Sequence, residues 1–199
     1  MELFAVFMFD SLLYLPPSTA MQKRLILNAE LLSITVDRLC QQLIENHGDF
    51  SNTVILGLQP RGIHFSDLLV EHLKQLTGAD IQYGYLDTTF YRDDFRRREK
   101  PSTANATKID FIIEDKEVII VDDVLFTGRS VRAALDAMMA YGRPNKVELL
   151  VLINRKYTRD LPISPDYIGK DVNTIESQKV LVEIGEGKKN KVWLINEEE

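Results

Sequence analysis

The chain has 199 residues, with 24 Lys and Arg against 30 Asp and Glu for a formal charge of −6, and 45% of the residues are hydrophobic. This balance excludes a disordered, collagenous or membrane-embedded chain and leaves one compact domain with a sizeable core and at most a small appended subdomain. A single cysteine, Cys40, excludes an internal disulfide framework, and no Cys/His cluster has zinc-ligand spacing, so a reducing cytoplasm is the expected compartment and core packing the expected role of the thiol.

The first twenty residues hold apolar runs at Leu3 to Phe9 and Leu12 to Leu15. They fail as a secretory signal, because Glu2 stands where a basic region belongs and Asp10 and Ser11 interrupt the apolar stretch. A frayed or partner-packed extension over residues 1–25 is the expectation, with Met21 an alternative start to Met1. Apolar residues from Leu31 to Ile44 recur at helical spacing before Gly48, which predicts an amphipathic helix over Ala29 to His47. Thr53 to Leu58 is a buried strand ended by the turn Gln59-Pro60-Arg61-Gly62. Phe65, Leu68, Leu69, His72, Leu73 and Leu76 mark a second helix before Gly78, and Ile81 to Thr89 alternates like a strand. Tyr91 to Thr107 is polar and Arg-rich, long enough to be a functional loop.

Val118 to Val121 is β-branched throughout, as in a strand covered on both faces, and Val131, Leu135, Met138 and Met139 give the helix after it. Val147 to Asn154 is another buried strand. Strands alternating with helices imply right-handed crossovers and a doubly wound, mainly parallel α/β sheet. From Arg155 onward Pro162 and Pro165 break the chain, and Val180 to Ile184 with Val192 to Ile195 flank Gly185-Glu186-Gly187, a hairpin expected to form a small hood built mainly from 155–199.

The chemistry concentrates where the strongest strand meets a helix, at Asp122-Asp123-Val124-Leu125-Phe126-Thr127-Gly128-Arg129-Ser130. Ligands of open α/β sheets bind beyond the carboxyl ends of strands, where a helix N-terminus offers free N–H groups and positive potential. Thr127 to Ser130 would cradle a phosphate, and the two carboxylates suit sugar hydroxyls or a magnesium-bound polyol, so a phosphorylated sugar is the expected ligand. Gly57 and Gly62 have the glycine spacing of a P-loop, but Ile63-His64 stand where Lys-Ser/Thr is required. His47, His64 and His72 are scattered and receive no catalytic role.

That stretch resembles the phosphoribosyl-pyrophosphate signature of type I phosphoribosyltransferases. The segments Gly57 to Ile63, Leu86 to Asp94, Gly142-Arg143-Pro144 and Leu161 to Lys170 are similar to the bifunctional pyrimidine operon attenuation regulator and uracil phosphoribosyltransferase family, from about Ile26 to the C-terminus. The resemblance implies transfer of ribose 5-phosphate from phosphoribosyl pyrophosphate to N1 of uracil, with Mg2+ carried by that substrate rather than by direct protein ligands. It implies that Asp122 and Asp123 hold the ribose hydroxyls, that Thr127, Gly128, Arg129 and Ser130 bind the 5′-phosphate, and that Pro60, Arg61 and Gly62, with a cis Pro60–Arg61 peptide, meet the pyrophosphate. Arg92 would reach it from a closing flap, with Arg96, Arg97, Arg98 and Lys100 as general attraction. Tyr167 would stack on the base while the Ile168 backbone pairs with its edge.

Two alternatives stay open. In a hypoxanthine or guanine phosphoribosyltransferase an acidic base is expected where this chain has Phe126, and a lysine where it has Asn154. In an attenuator, Arg38, Arg159, Lys170 and Thr174 would contact a messenger RNA hairpin, with a uridine nucleotide as co-regulator. Asp37, Gln41, Asn46 and Ser164 thin that surface of cations. The resemblance also implies a homodimer or higher homo-oligomer.

Overall fold

The computed structural model describes residues 23–93, 105–185 and 190–196. The central sheet is parallel throughout and runs in the order β3 (Gln82–Leu86), β2 (Thr53–Leu58), β4 (Glu117–Leu125), β5 (Lys146–Lys156), β6 (Tyr167–Asn173). Every residue of β2 is buried, as are Val118 to Val121 of β4 and Glu148 to Arg155 of β5, because helices cover both faces. On one face α1 (Ala29–His47) and α2 (Gly62–Thr77) press Leu32, Val36, Leu39, Leu43, Phe65 and Leu69 against Ile55, Ile119, Val121 and Leu152. On the other, α3 (Arg129–Met138) lays Val131, Ala134 and Met138 on Val54, Leu56, Ile120 and Val151. Alternate residues of each strand thus serve two cores, which is why the strands read as unbroken apolar runs.

Local chemistry sets the helix ends. Asn28 caps α1 by accepting a hydrogen bond from the Leu31 N–H at 2.8 Å, and Gly48 closes it with its own N–H donating to the Ile44 carbonyl at 2.9 Å. Among the described residues no helix is long and apolar enough to cross a membrane.

The hood differs from its expected outline. It is an antiparallel sheet in the order β1 (Lys23–Leu27), β8 (Lys191–Asn196), β7 (Gln178–Glu183). Residues 23–25, expected within a terminal extension, are strand residues because Lys23, Arg24 and Leu25 pair with Ile195, Leu194 and Trp193. Of residues 155–173, expected in the hood, Arg155–Lys156 end β5 and Tyr167–Asn173 form β6, so they belong to the main sheet, where β6 pairs with β5. A polar sequence such as Ile168-Gly169-Lys170-Asp171 gives little strand signal, yet an edge strand tolerates it because half of its surface meets solvent.

Cys40 is fully buried on α1, and its Sγ lies 3.8 Å from the Leu69 carbonyl. Burial, reinforced by Asp37, pushes the thiol up to about 12, so almost no thiolate forms at neutral pH. Cys40 is expected to resist a disulfide reagent in the folded protein and to titrate as one thiol per chain in denaturant, read by absorbance of the released thiolate.

Candidate active site

At the carboxyl ends of β2 and β4 and against the hood lies a cavity of ≈ 590 Å³. Its wall brings together Pro60, Arg61, Arg92, Asp122, Asp123 and Ser130 from the sequence-predicted set. Thr127, Gly128 and Arg129 continue from Phe126 on its rim as the connection into α3, and Gly62 begins α2 immediately beyond Arg61.

Asp122 and Asp123 are still part of β4, so successive side chains leave opposite faces of the strand. The Asp123 N–H donates to Asp122 Oδ1 at 2.9 Å. Burial and the mutual repulsion of the two carboxylates hold Asp122 well above the usual carboxylate range; Asp123 is also raised by burial, with Asp122 and the Arg61 guanidinium pulling it back. Gly62 permits the close seating of the Arg61 turn: a Cβ there would stand 2.8 Å from the Val121 carbonyl and 3.1 Å from the Asp122 Cα.

Beyond β4 the chain turns at Gly128, whose φ of +92° is the left-handed conformation glycine adopts without strain. Thr127 Oγ1 accepts from the Arg129 N–H at 3.4 Å, and Ser130 in the first turn of α3 lines the cavity, where the positive end of a helix favours an anion. The Arg129 side chain points elsewhere, donating to Asp93 Oδ2 at 2.5 Å and Asp160 Oδ2 at 2.9 Å. Its guanidinium thereby ties Asp93 and Asp160 to the start of α3. Arg132 adds a bond to the Tyr91 carbonyl at 3.0 Å, and Arg92 Nη1 donates to Ser130 Oγ at 3.0 Å, which sets Arg92 over the start of α3. Arg96, Arg97, Arg98 and Lys100 lie outside the described residues.

Three expectations are corrected. The cis peptide of this loop is Gln59–Pro60 rather than Pro60–Arg61, since a proline nitrogen accepts the cis form far more readily than a secondary amide does. Tyr167 and Ile168 do not line the cavity. β6 begins at Tyr167 opposite Leu150, well short of the strand's carboxyl end, so the Tyr167 hydroxyl meets Asn46 Nδ2 at 3.0 Å and His47 Nε2 at 3.1 Å under α1. The Ile168 carbonyl accepts from Arg38. The four residues proposed for RNA do not share a free surface either: Thr174 is buried and accepts from Arg155 Nε at 3.0 Å, and Arg159 turns inward. Its guanidinium donates to the carbonyls of Leu125, Phe126, Arg155 and Ile163 and to Asn154 Oδ1, binding the ends of β4 and β5 together behind the phosphate turn. Only Arg38 and Lys170 of the four are exposed.

Sequence reasoning missed Arg155, Glu176, Gln178, Lys179 and Val180 as cavity residues. Arg155 is 4% exposed and lies 3.8 Å from the centroid of the Phe126 ring, a cation–π stack that walls the cavity on its hood side. An arginine ending an apolar strand was the available signal; the hood residues had none, because strand pairing alone folds β7 over the site.

Comparisons agree with this geometry. Residues 24–185 match the family model described as the phosphoribosyl transferase domain. The chain is 41% identical over 166 residues to the bifunctional protein pyrR of Enterococcus faecalis (strain ATCC 47077 / OG1RF), covering 83% of this chain and 92% of that one. It is 38% identical over 181 residues to bifunctional protein PyrR of Bacillus subtilis (strain 168), covering 89% and 99%. Among solved structures, a hypoxanthine-guanine phosphoribosyltransferase of Bacillus anthracis superposes with a TM-score of 0.61 at 18% identity, over 77% of this chain and 85% of that one. The hypoxanthine phosphoribosyltransferase of Trypanosoma cruzi gives 0.66 at 13% identity, over 88% and 97%. At those identities the likeness is one of fold.

The acid pair carries a pH signature. Carboxyls raised in the folded state bind protons more tightly there than in the unfolded chain, so their presence lowers stability as pH rises from about 4 through the folded values. Asp122→Asn removes that penalty: thermal unfolding at pH 7 is expected several degrees higher than wild type, at roughly 2–4 °C per kcal/mol relieved, with the gap closing toward pH 4. Scanning calorimetry of both proteins across that range checks it.

Proposed function

The chain belongs to the phosphoribosyl transferase domain family, alongside the PyrR proteins, and we propose that it transfers ribose 5-phosphate from phosphoribosyl pyrophosphate to uracil, releasing UMP and pyrophosphate. The observation that carries this reading is the placement of Asp122 and Asp123 in one cavity with Arg61, Arg92 and the N-terminus of α3. Displacement at the anomeric carbon builds positive charge on the ribose ring and negative charge on the leaving diphosphate. Asp122 and Asp123 accept from the ribose hydroxyls and favour the cationic ring. The α3 amides with the Ser130 hydroxyl take the 5′-phosphate, while Arg61 and Arg92 meet the diphosphate.

Two neighbouring carboxylates raised by burial, Asp122 further by Asp123, fit a site that receives a cation with its ligand. Mg2+ carried by phosphoribosyl pyrophosphate would supply charge neutralisation beside Asp122 and Asp123 without direct protein ligands. The base then lies toward the hood, against Phe126, Arg155 and Val180. Phe126 offers an apolar face for a pyrimidine ring, held in place by the Arg155 guanidinium stacked on it. Phe126 cannot take a proton, which disfavours a purine reaction that needs an acidic base at that position. The flap expected after Arg92 falls mostly outside the described residues.

Purified protein with phosphoribosyl pyrophosphate and Mg2+ is expected to form nucleotide with uracil and not with hypoxanthine, guanine or orotate, followed by chromatography. Asp123→Asn and Arg92→Ala are each expected to lower kcat/KM by roughly 100-fold or more, in line with the loss of a charged transition-state contact. Nucleotide from a purine base instead of uracil would reject the pyrimidine assignment.

The bifunctional relatives and the exposed Arg38 and Lys170 favour a second role, binding of a messenger RNA hairpin with UMP as co-regulator. With Arg38 already donating to the Ile168 and Gly169 carbonyls, affinity for a leader transcript is expected to fall with a shallow salt slope and to rise when UMP is added. Filter binding across a salt series reads both quantities; binding indifferent to UMP would remove the co-regulator.

A further inference from the structure

Two clasps bracket Arg92 in sequence. After β3 the chain makes a short 3-10 turn (Thr89–Tyr91), in which the Tyr91 N–H donates to the Thr88 carbonyl at 3.0 Å. Arg132, in the first turn of α3, donates from Nη2 to the Tyr91 carbonyl at 3.0 Å. On the other side of Arg92, Asp93 Oδ2 accepts from Arg129 Nη1 at 2.5 Å and lies 3.9 Å from Arg132 Nη2. The residues immediately before and after Arg92 are thus fastened to one helical turn. Arg92 is on the cavity wall, and neither Arg132 nor Asp93 is.

The clasping groups are themselves held. Arg132 Nη1 donates to Asp136 Oδ2 at 3.0 Å, four residues on along the same helix face. Arg129 Nε donates to Asp160 Oδ2 at 2.9 Å, and the Asp160 N–H donates to the Thr127 carbonyl at 3.1 Å, which ties that end to the turn before α3. Arg132 Nε is buried with no hydrogen-bond partner. An unpaired buried N–H costs free energy, so the bonds at both Nη groups outweigh that cost and fix the guanidinium plane. The side chains of these ion pairs are partly exposed, a setting in which such pairs add little to stability. Their consequence is geometric. With the backbone held on both sides, the Arg92 side chain leaves the chain toward the start of α3, where its Nη1 donates to Ser130 Oγ at 3.0 Å.

We propose that Arg132 is a positioning residue for the transfer reaction: it holds the Tyr91 carbonyl, with Asp93 as the second clasp, and so sets the Arg92 guanidinium at the place where the diphosphate is met. This rests on the reading above in which Arg92 contacts the diphosphate of phosphoribosyl pyrophosphate. A charged contact displaced by a fraction of its length loses much of its effect, so loss of Arg132 acts at the diphosphate and not at the base, which lies toward the hood. It acts through Arg92, so it has nothing to act on once Arg92 is removed.

The test is a double-mutant cycle on the full-length protein. It is read as the Kd of phosphoribosyl pyrophosphate with Mg2+ by titration calorimetry, which needs no turnover, and as separate KM values for that substrate and uracil. Arg132→Met is expected to raise the Kd and KM of phosphoribosyl pyrophosphate by roughly 10-fold while the KM of uracil moves by less than about 2-fold. Asp93→Ala, which opens the second clasp, is expected to act in the same direction. Arg132→Met placed in an Arg92→Ala background is expected to cost nothing further. Deuterium uptake over residues 88–93 is expected to rise in Arg132→Met, with thermal unfolding within about 2 °C of wild type. An unchanged Kd in Arg132→Met, losses from Arg132→Met and Arg92→Ala that add, or a KM increase shared equally by uracil would each overturn the proposal, and the role of Arg92 stands if Arg92→Ala alone weakens binding. An Arg92→Ala protein that binds phosphoribosyl pyrophosphate as wild type does removes the reading beneath the proposal, and the proposal with it.

Discussion

Two adjacent carboxylates sunk at the end of β4 are the constraint around which the site is built. Like charges placed side by side in a partly dry cavity are costly: burial raises both, and repulsion from Asp123 raises Asp122 further. What makes the arrangement tenable is the countercharge that two separate elements deliver: Arg61 from the end of β2, which pulls Asp123 down, and Arg92 from the loop after β3, which pulls Asp122 down. Neither is adjacent to the acids in sequence. They converge because parallel strands all end on the same side of the sheet, so a charge placed at the carboxyl end of any strand joins a shared locus.

The same geometry explains how the phosphate turn is held. The turn itself is small and its middle glycine has a left-handed backbone, so it needs support from behind. Arg159 provides it by collecting carbonyls from both flanking strands, while Arg129 and Arg132 hold the 91–93 segment against the front of α3. Three arginines in this region therefore organise backbone, and Arg92 faces the cavity. A count of cations would not separate these tasks. The acceptors nearby do: Arg159 is ringed by carbonyls, Arg129 meets the carboxylates of Asp93 and Asp160, and Arg92 meets the Ser130 hydroxyl at the cavity wall.

The doubly wound sheet and the tight turn into α3 were legible in the sequence because both are local. β-branched runs at Val118 to Val121, helical spacing from Leu31 to Ile44, and two acids preceding Thr127-Gly128 each declare themselves within a dozen residues. β1 and β6 were not legible, since a strand with Lys, Arg, Gly and Asp gains its order from a partner far away in sequence, Trp193 for Leu25 and Leu150 for Tyr167. The base wall was missed for the same reason. Val180 reaches the cavity only after β7 has paired with β8, and Arg155 reads as an ordinary strand end until its guanidinium stacks on Phe126.

Tyr167 shows why motif position alone misleads. It lies in a segment whose wording resembles a base-binding loop, but the register of β6 against β5 sets it opposite Leu150, while the residues level with Asn154 and Arg155 are Asp171 and Val172. A shift of this size along a strand rising about 3.3 Å per residue carries a side chain from one end of the sheet toward the other. Tyr167 accordingly serves a polar cluster at the amino ends, under α1, and the aromatic face presented to the cavity comes from Phe126, on the turn that also begins the phosphate cradle. In the proposed reaction, base and sugar phosphate would therefore both be met by one short connection, so a change at Phe126 acts on both the ring it faces and the backbone amides that follow it.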